Sequence, residues 1–101
     1  MRKVAPPKNL KGMIGVYEIH FDRPYKHAKH YLGMAEDIGR RERKHRSGHG
    51  AKLMKAVRKA RIGWEIVRVW ACETVTEAQQ LEKKLKGHSA RLCPMCTEVA
   101  S

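Results

Sequence analysis

Met13-Ile14-Gly15-Val16-Tyr17-Glu18-Ile19-His20 is the stretch on which the fold turns. Its alternation reads as a β-strand. With a side-chain period of two, Ile14, Val16 and Glu18 share one face, and Gly15, Tyr17 and Ile19 the other. The following Asp22-Arg23-Pro24-Tyr25-Lys26 has turn chemistry and is expected to end the strand. A second short strand is expected over about 29–33, pairing antiparallel through a connection longer than a tight turn.

Farther along, Asp37 is a good N-cap, since its carboxylate can accept an orphan backbone N–H. The helix it opens runs to about Arg46, before Ser47-Gly48-His49-Gly50 breaks it, and Ile38, Arg41, Glu42 and His45 share one of its faces. A second helix, about 50–60, offers Leu53, Val57 and Ala60 for burial, with Met54 beside them. Trp64 to Ala71 is apolar on both faces, as a buried central strand would be. Trp64, Ile66 and Trp70 are expected on one face of it, with both tryptophans buried. Thr74 and Thr76 each precede a capping-box partner, Glu77 and Gln79, so a third helix starts there and ends near Gly87. The order β-β-α-α-β-α describes a small α+β domain, with a three-stranded, mainly antiparallel sheet flanked by helices. It is expected over residues 12–88, between a flexible basic arm (1–11) and a tail (89–101).

At 101 residues the chain has room for one modest core, and 42% hydrophobic residues suffice to build it. Lys and Arg number 22 against 10 Asp and Glu, a formal charge of +12. Self-repulsion of that size calls for a polyanionic partner, and nucleic acid fits better than an anionic membrane. No apolar run approaches the roughly 20 residues of a spanning helix. Pro6, Pro7 and Lys8 interrupt the position where a signal peptide needs its apolar stretch. The expected location is the cytoplasm, with the nucleoid, and not the exterior. Three cysteines, an odd number, agree with a reducing compartment.

The positive charge is concentrated. Arg40, Arg41, Arg43, Lys44, Arg46, Lys52, Lys55, Arg58, Lys59 and Arg61 form a belt interrupted by one acid, Glu42. With His49 beside it, this belt could neutralise several phosphates, each adding about −0.9 to the log–log salt slope on duplex DNA. Glu82 stands apart, because it borders the apolar stripe of Ala78, Leu81 and Leu85 on the third helix. A carboxylate there needs a cationic partner or a metal. An arginine would serve, and so would a hard divalent ion such as Mg²⁺.

Taken together, Gly15-Val16-Tyr17, Tyr31-Leu32-Gly33, Arg41, His45 and Glu77-Ala78-Gln79-Gln80-Leu81-Glu82 resemble the GIY-YIG nuclease superfamily over about residues 12–88. The resemblance implies a β-β-α-β-α core with the helix at 50–60 inserted. It also implies a metal-dependent endonuclease that cuts DNA, duplex or branched, by a single-metal mechanism with Mg²⁺ or Mn²⁺. Tyr17 matches the tyrosine that activates water, Tyr31 its supporting partner, and Arg41 the arginine on the scissile phosphate. His45 matches a proton-transfer residue, Glu82 the sole protein ligand of the metal, and His49 an active-site histidine of some members. The chain departs from the pattern in one place. Many members carry an asparagine after the glutamate helix, whereas this chain has only Asn9, which leaves that role empty or to another residue such as Ser89. The alternative function is a non-catalytic nucleic-acid-binding protein of the same fold, one that could hold a structural zinc.

Cys93-Pro94-Met95-Cys96 is a C-x-x-C, half of a tetrahedral zinc site. Cys72 and one of His20, His27, His30 or His88 could complete it, and the spacing does not choose among them.

Overall fold

The computed structural model describes residues 10–88 and Cys93. Six elements follow the expected order: β1 (Gly15–Tyr25), β2 (Ala28–Ala35), α1 (Ile38–Ser47), α2 (Lys52–Lys59), β3 (Trp64–Ala71) and α3 (Val75–Leu85). The sheet is antiparallel with strand order β2-β1-β3. No helix among the described residues is long and apolar enough to cross a membrane.

Both faces of the sheet are covered, and the alternation along β1 decides what covers each. Tyr17, Ile19 and Phe21 pack with Ile38 of α1 and with Met54 and Val57 of α2. Val16, on the opposite face, packs with Ala78 and Leu85 of α3. Leu10, within the expected arm, is buried in the first cluster, and its carbonyl accepts from the Met13 and Gly39 N–H groups.

Three expectations are corrected. First, β1 does not stop before Asp22. The Asp22 N–H donates to the Gly63 carbonyl (2.8 Å) and the Arg23 guanidinium to the Ala60 carbonyl (3.0 Å), so the start of β3 and the end of α2 hold the strand extended. Pro24 sits where the β1–β2 register is irregular, and its missing N–H breaks no ladder bond there. The connection to β2 is consequently a tight one, Lys26-His27, with Lys26 at φ 54°. Second, β1 is the central strand and β3 lies at an edge. β3 is apolar on both sides because helices cover both sheet faces. Third, Trp64 and Trp70 face opposite ways. Glu18 pairs with Arg68 but Ile19 with Ile66, so Val67 is an extra, bulged residue that reverses the alternation. Trp64 joins the α1–α2 side and Trp70 the α3 side, and each is half-buried.

Two caps set the helices that frame the site. The Asp37 Oδ1 accepts from the Arg40 N–H (3.0 Å) and the Gly12 N–H (2.9 Å), which starts α1 and ties the preceding chain to it. Of the two threonines, Thr74 caps α3, its Oγ1 accepting from the Glu77 N–H at 3.1 Å. Thr74→Ala should cost about 1 kcal/mol in urea unfolding, with Thr74→Ser recovering most of it. Equal stability of the alanine variant would show that packing alone holds the first turn of α3.

Candidate active site

Tyr17 is fully buried near the start of β1. Its hydroxyl lies 2.8 Å from Nε2 of His45, which the third turn of α1 brings over the sheet. Tyr31, its diagonal neighbour on β2, has its ring centroid 6.1 Å from that of Tyr17 and 5.5 Å from His45. Trp64 closes the group with an edge contact to His45 at 6.2 Å. Two glycines make room. A methyl group on Gly33 would come within 2.7 Å of the Tyr17 hydroxyl, and one on Gly50 would collide with the His45 ring.

The protonation states follow from burial. Desolvation pushes the Tyr17 phenol far above the usual phenol range; Tyr31 and Glu82 reinforce this and Arg41 opposes it. Tyr31 is raised as well, chiefly by burial, with Glu82 adding. Burial, assisted by the Arg41 charge, lowers His45 to about 4. At neutral pH Tyr17 is therefore a phenol donating its proton to a neutral imidazole. That assignment puts the imidazole proton on Nδ1, which is buried without a hydrogen-bond partner among the described residues.

Arg41 and Glu82 border this group from α1 and α3, and both charges act on both phenols. Each side chain is half-buried. Among the described residues the ion pair is Arg46–Glu42 (3.5 Å), and no described arginine is paired with Glu82. A half-buried carboxylate with no ion pair among the described residues is a fitting ligand for a hard divalent cation. A cleft of about 320 Å³ is lined by Met34, Glu36, Asp37, Arg40, Arg41 and Lys44 on one side and by Val75 and Gln79 of α3 on the other. Gln79 is one turn ahead of Glu82 on α3.

The remaining basic residues expected to bind nucleic acid lie on α1, α2 and their connection. Arg40, Arg43, Lys44, Lys52, Lys55 and Lys59 are exposed. Arg46 is exposed too, but its guanidinium stacks 4.1 Å above the Trp64 ring. Arg58 is bound to the Arg46 carbonyl (2.9 Å), and His49 is held by the Ser47 hydroxyl at 3.1 Å, outside the tyrosine–histidine group. Ser89 and Cys96 lie outside the described residues.

The sequence reading missed two features. One is Glu18, fully buried on the α3 face, with both carboxylate oxygens lacking a hydrogen-bond partner among the described residues. Burial pushes it up to about 7, against the pull of Arg68. Its alternation with Val16 was the available signal. The other is the meeting of His20, His30 and Cys93, taken up below.

The family model for the GIY-YIG catalytic domain matches residues 13–93. No curated protein and no solved structure matches the chain.

The depressed His45 gives a pH signature. Between its ordinary value of 6.5 and about 4, the unfolded chain binds a proton that the folded chain refuses. Stability should therefore fall as pH is lowered through that window, by up to about 3 kcal/mol from this group. Urea unfolding of the wild type and of His45→Gln from pH 8 to 4 measures it. Parallel stability curves would refute the assignment.

Proposed function

This chain belongs to the GIY-YIG catalytic-domain family, and we propose that it is an endonuclease hydrolysing DNA phosphodiester bonds with Mg²⁺ or Mn²⁺. The family is one of nucleases that act on DNA and generally depend on divalent metal. The observation that carries the finer reading is Glu82, a half-buried carboxylate with no cationic partner among the described residues, close enough to raise both phenols. Bound at Glu82, a divalent cation supplies Lewis acidity toward the phosphate oxygens and the leaving oxygen.

The chain's own groups would do the rest. Arg41 presents a planar, permanently charged fork to the phosphate. Arg40 and Lys44, on the same wall of the cleft, extend the positive surface along the strand. Tyr17 is wholly buried, whereas Tyr31 is half-buried. Tyr31 is therefore the phenol placed to meet water and substrate, with the Tyr17–His45 hydrogen bond behind it. A phenol with a raised pKa keeps its proton at neutral pH and offers no base, and His45 is the group in this cluster with a lone pair to take a proton. A bound phosphate counters the Arg41 charge that holds His45 down, so the imidazole gains basicity as substrate arrives. Exposed Arg43, Lys52, Lys55 and Lys59 add sequence-independent attraction for the DNA backbone.

The test is nicking of supercoiled plasmid and cleavage of branched duplexes with Mg²⁺ or Mn²⁺. Glu82→Ala and Arg41→Ala should each lower the rate by on the order of 10²–10³-fold, with the DNA affinity at low salt largely kept. Tyr31→Phe should lose at least as much activity as Tyr17→Phe. Binding without cleavage on every substrate, or nicking undiminished in both charge variants, would replace the nuclease with a DNA-binding domain.

A further inference from the structure

His20 and His30 are directly opposed residues of β1 and β2. Cross-strand partners project from the same side of a sheet, here the side that carries Val16 and α3, away from Tyr17 and Tyr31. Their rings lie 5.1 Å apart between centroids, and the Nδ1 of His20 is 3.3 Å from the Nε2 of His30. The Sγ of Cys93 comes to 3.4 Å from the same Nδ1, although 73 residues separate the two in sequence. The three donor atoms lie within 4.8 Å of one another, and Cys93 is fully buried.

Hydrogen bonding alone does not account for the convergence. A ring nitrogen has one proton or one in-plane lone pair, yet the Nδ1 of His20 is approached by both an imidazole nitrogen and a sulfur. A single ion held by all three satisfies every donor at once. With Zn–N of about 2.0–2.1 Å and Zn–S of about 2.3 Å, a tetrahedron has edges of about 3.3 Å between nitrogens and about 3.6 Å between nitrogen and sulfur. The observed 3.3 and 3.4 Å match those edges.

We propose that His20, His30 and Cys93 are ligands of a structural zinc ion that fastens the chain beyond α3 to the sheet. These three donors leave one position of a tetrahedral ion open. Two imidazoles and a thiolate are a set that prefers zinc over Mg²⁺. Cys72 is not a member, since its thiol contacts the Trp70 carbonyl near the start of α3. The site is separate from the tyrosine–histidine group, being built on the other face of the sheet and from soft ligands.

The full chain, purified without a metal-affinity tag, should carry about one zinc per chain by elemental analysis. Cys93→Ser and His30→Asn should each reduce that content on the order of tenfold, and Glu82→Ala should leave it intact. Replacement of zinc by Co²⁺ should give thiolate-to-metal charge transfer and the ligand-field bands of a tetrahedral ion. If the variants fail to fold, the wild type still decides. Stripping it with a chelator should lower its melting temperature, and Zn²⁺ should restore it where Mg²⁺ does not. A wild type that holds no zinc, takes up none and shows no cobalt spectrum would overturn the site. Full zinc content in Cys93→Ser and His30→Asn, or loss of zinc in Glu82→Ala, would do the same. Absence of cleavage in the plasmid assay has no bearing on these readouts.

Discussion

A three-stranded sheet with helices on both faces has one strand that touches everything, and that strand must divide its side chains between two neighbours. β1 is this strand, with no open edge and no solvent face over Gly15–Ile19. Its odd positions supply the phenol and apolar groups that meet α1 and α2, and its even positions meet α3. The consequence reaches the chemistry. Tyr17 and His20, three residues apart, belong to different faces and different sites. A register slip of one residue would exchange the two sets wholesale, which makes β1 the least negotiable stretch of the chain.

Much of this was legible in the sequence because it is local. The alternation over Gly15–His20 assigned the faces correctly, and Asp37 capped its helix as its chemistry suggests. The illegible parts depend on residues far away. β1 continues past Asp22 because Gly63 and Ala60, about forty positions on, supply hydrogen-bond acceptors to it. Trp70 sits on the unexpected face because of one bulged residue, for which periodicity gives no warning. For the site, the resemblance supplied residue types, while burial supplied their states. That Tyr17 is wholly enclosed, and that His45 is held neutral against Gly50, are properties of packing. The partners of Cys93 could not be chosen from spacing, because the choice is made by the pairing of His20 with His30.

Electrostatics give the two faces different characters. The chain is strongly basic, yet two of its few acids, Glu18 and Glu82, are withdrawn from solvent without an ion pair among the described residues. Glu82 lies one turn beyond Gln79, which lines a cleft holding Arg40, Arg41 and Lys44 together with Glu36 and Asp37. Glu18 is enclosed, and its elevated pKa records the expense of that position. Burial chiefly keeps His45 unprotonated and the Arg41 charge adds to it, so attraction for a polyanion and proton affinity are coupled in part through Arg41.

The bulge at Val67 has an implication for how β3 can change its length. Counting without Val67, the strand runs Ile66, Arg68, Val69, Trp70 in strict alternation, and each side chain already faces the way that alternation demands. Val67 is thus a position from which β3 could lose a residue with no other side chain changing sides. Removal of Ile66 or Arg68 would instead set Val67 in the vacated place. What such a deletion would take away is the bend and added twist of a bulged strand, which direct Trp64 toward Phe21 and Gly63 toward Asp22. The supernumerary residue serves the shape of the sheet, and its own side chain adds to the buried apolar groups.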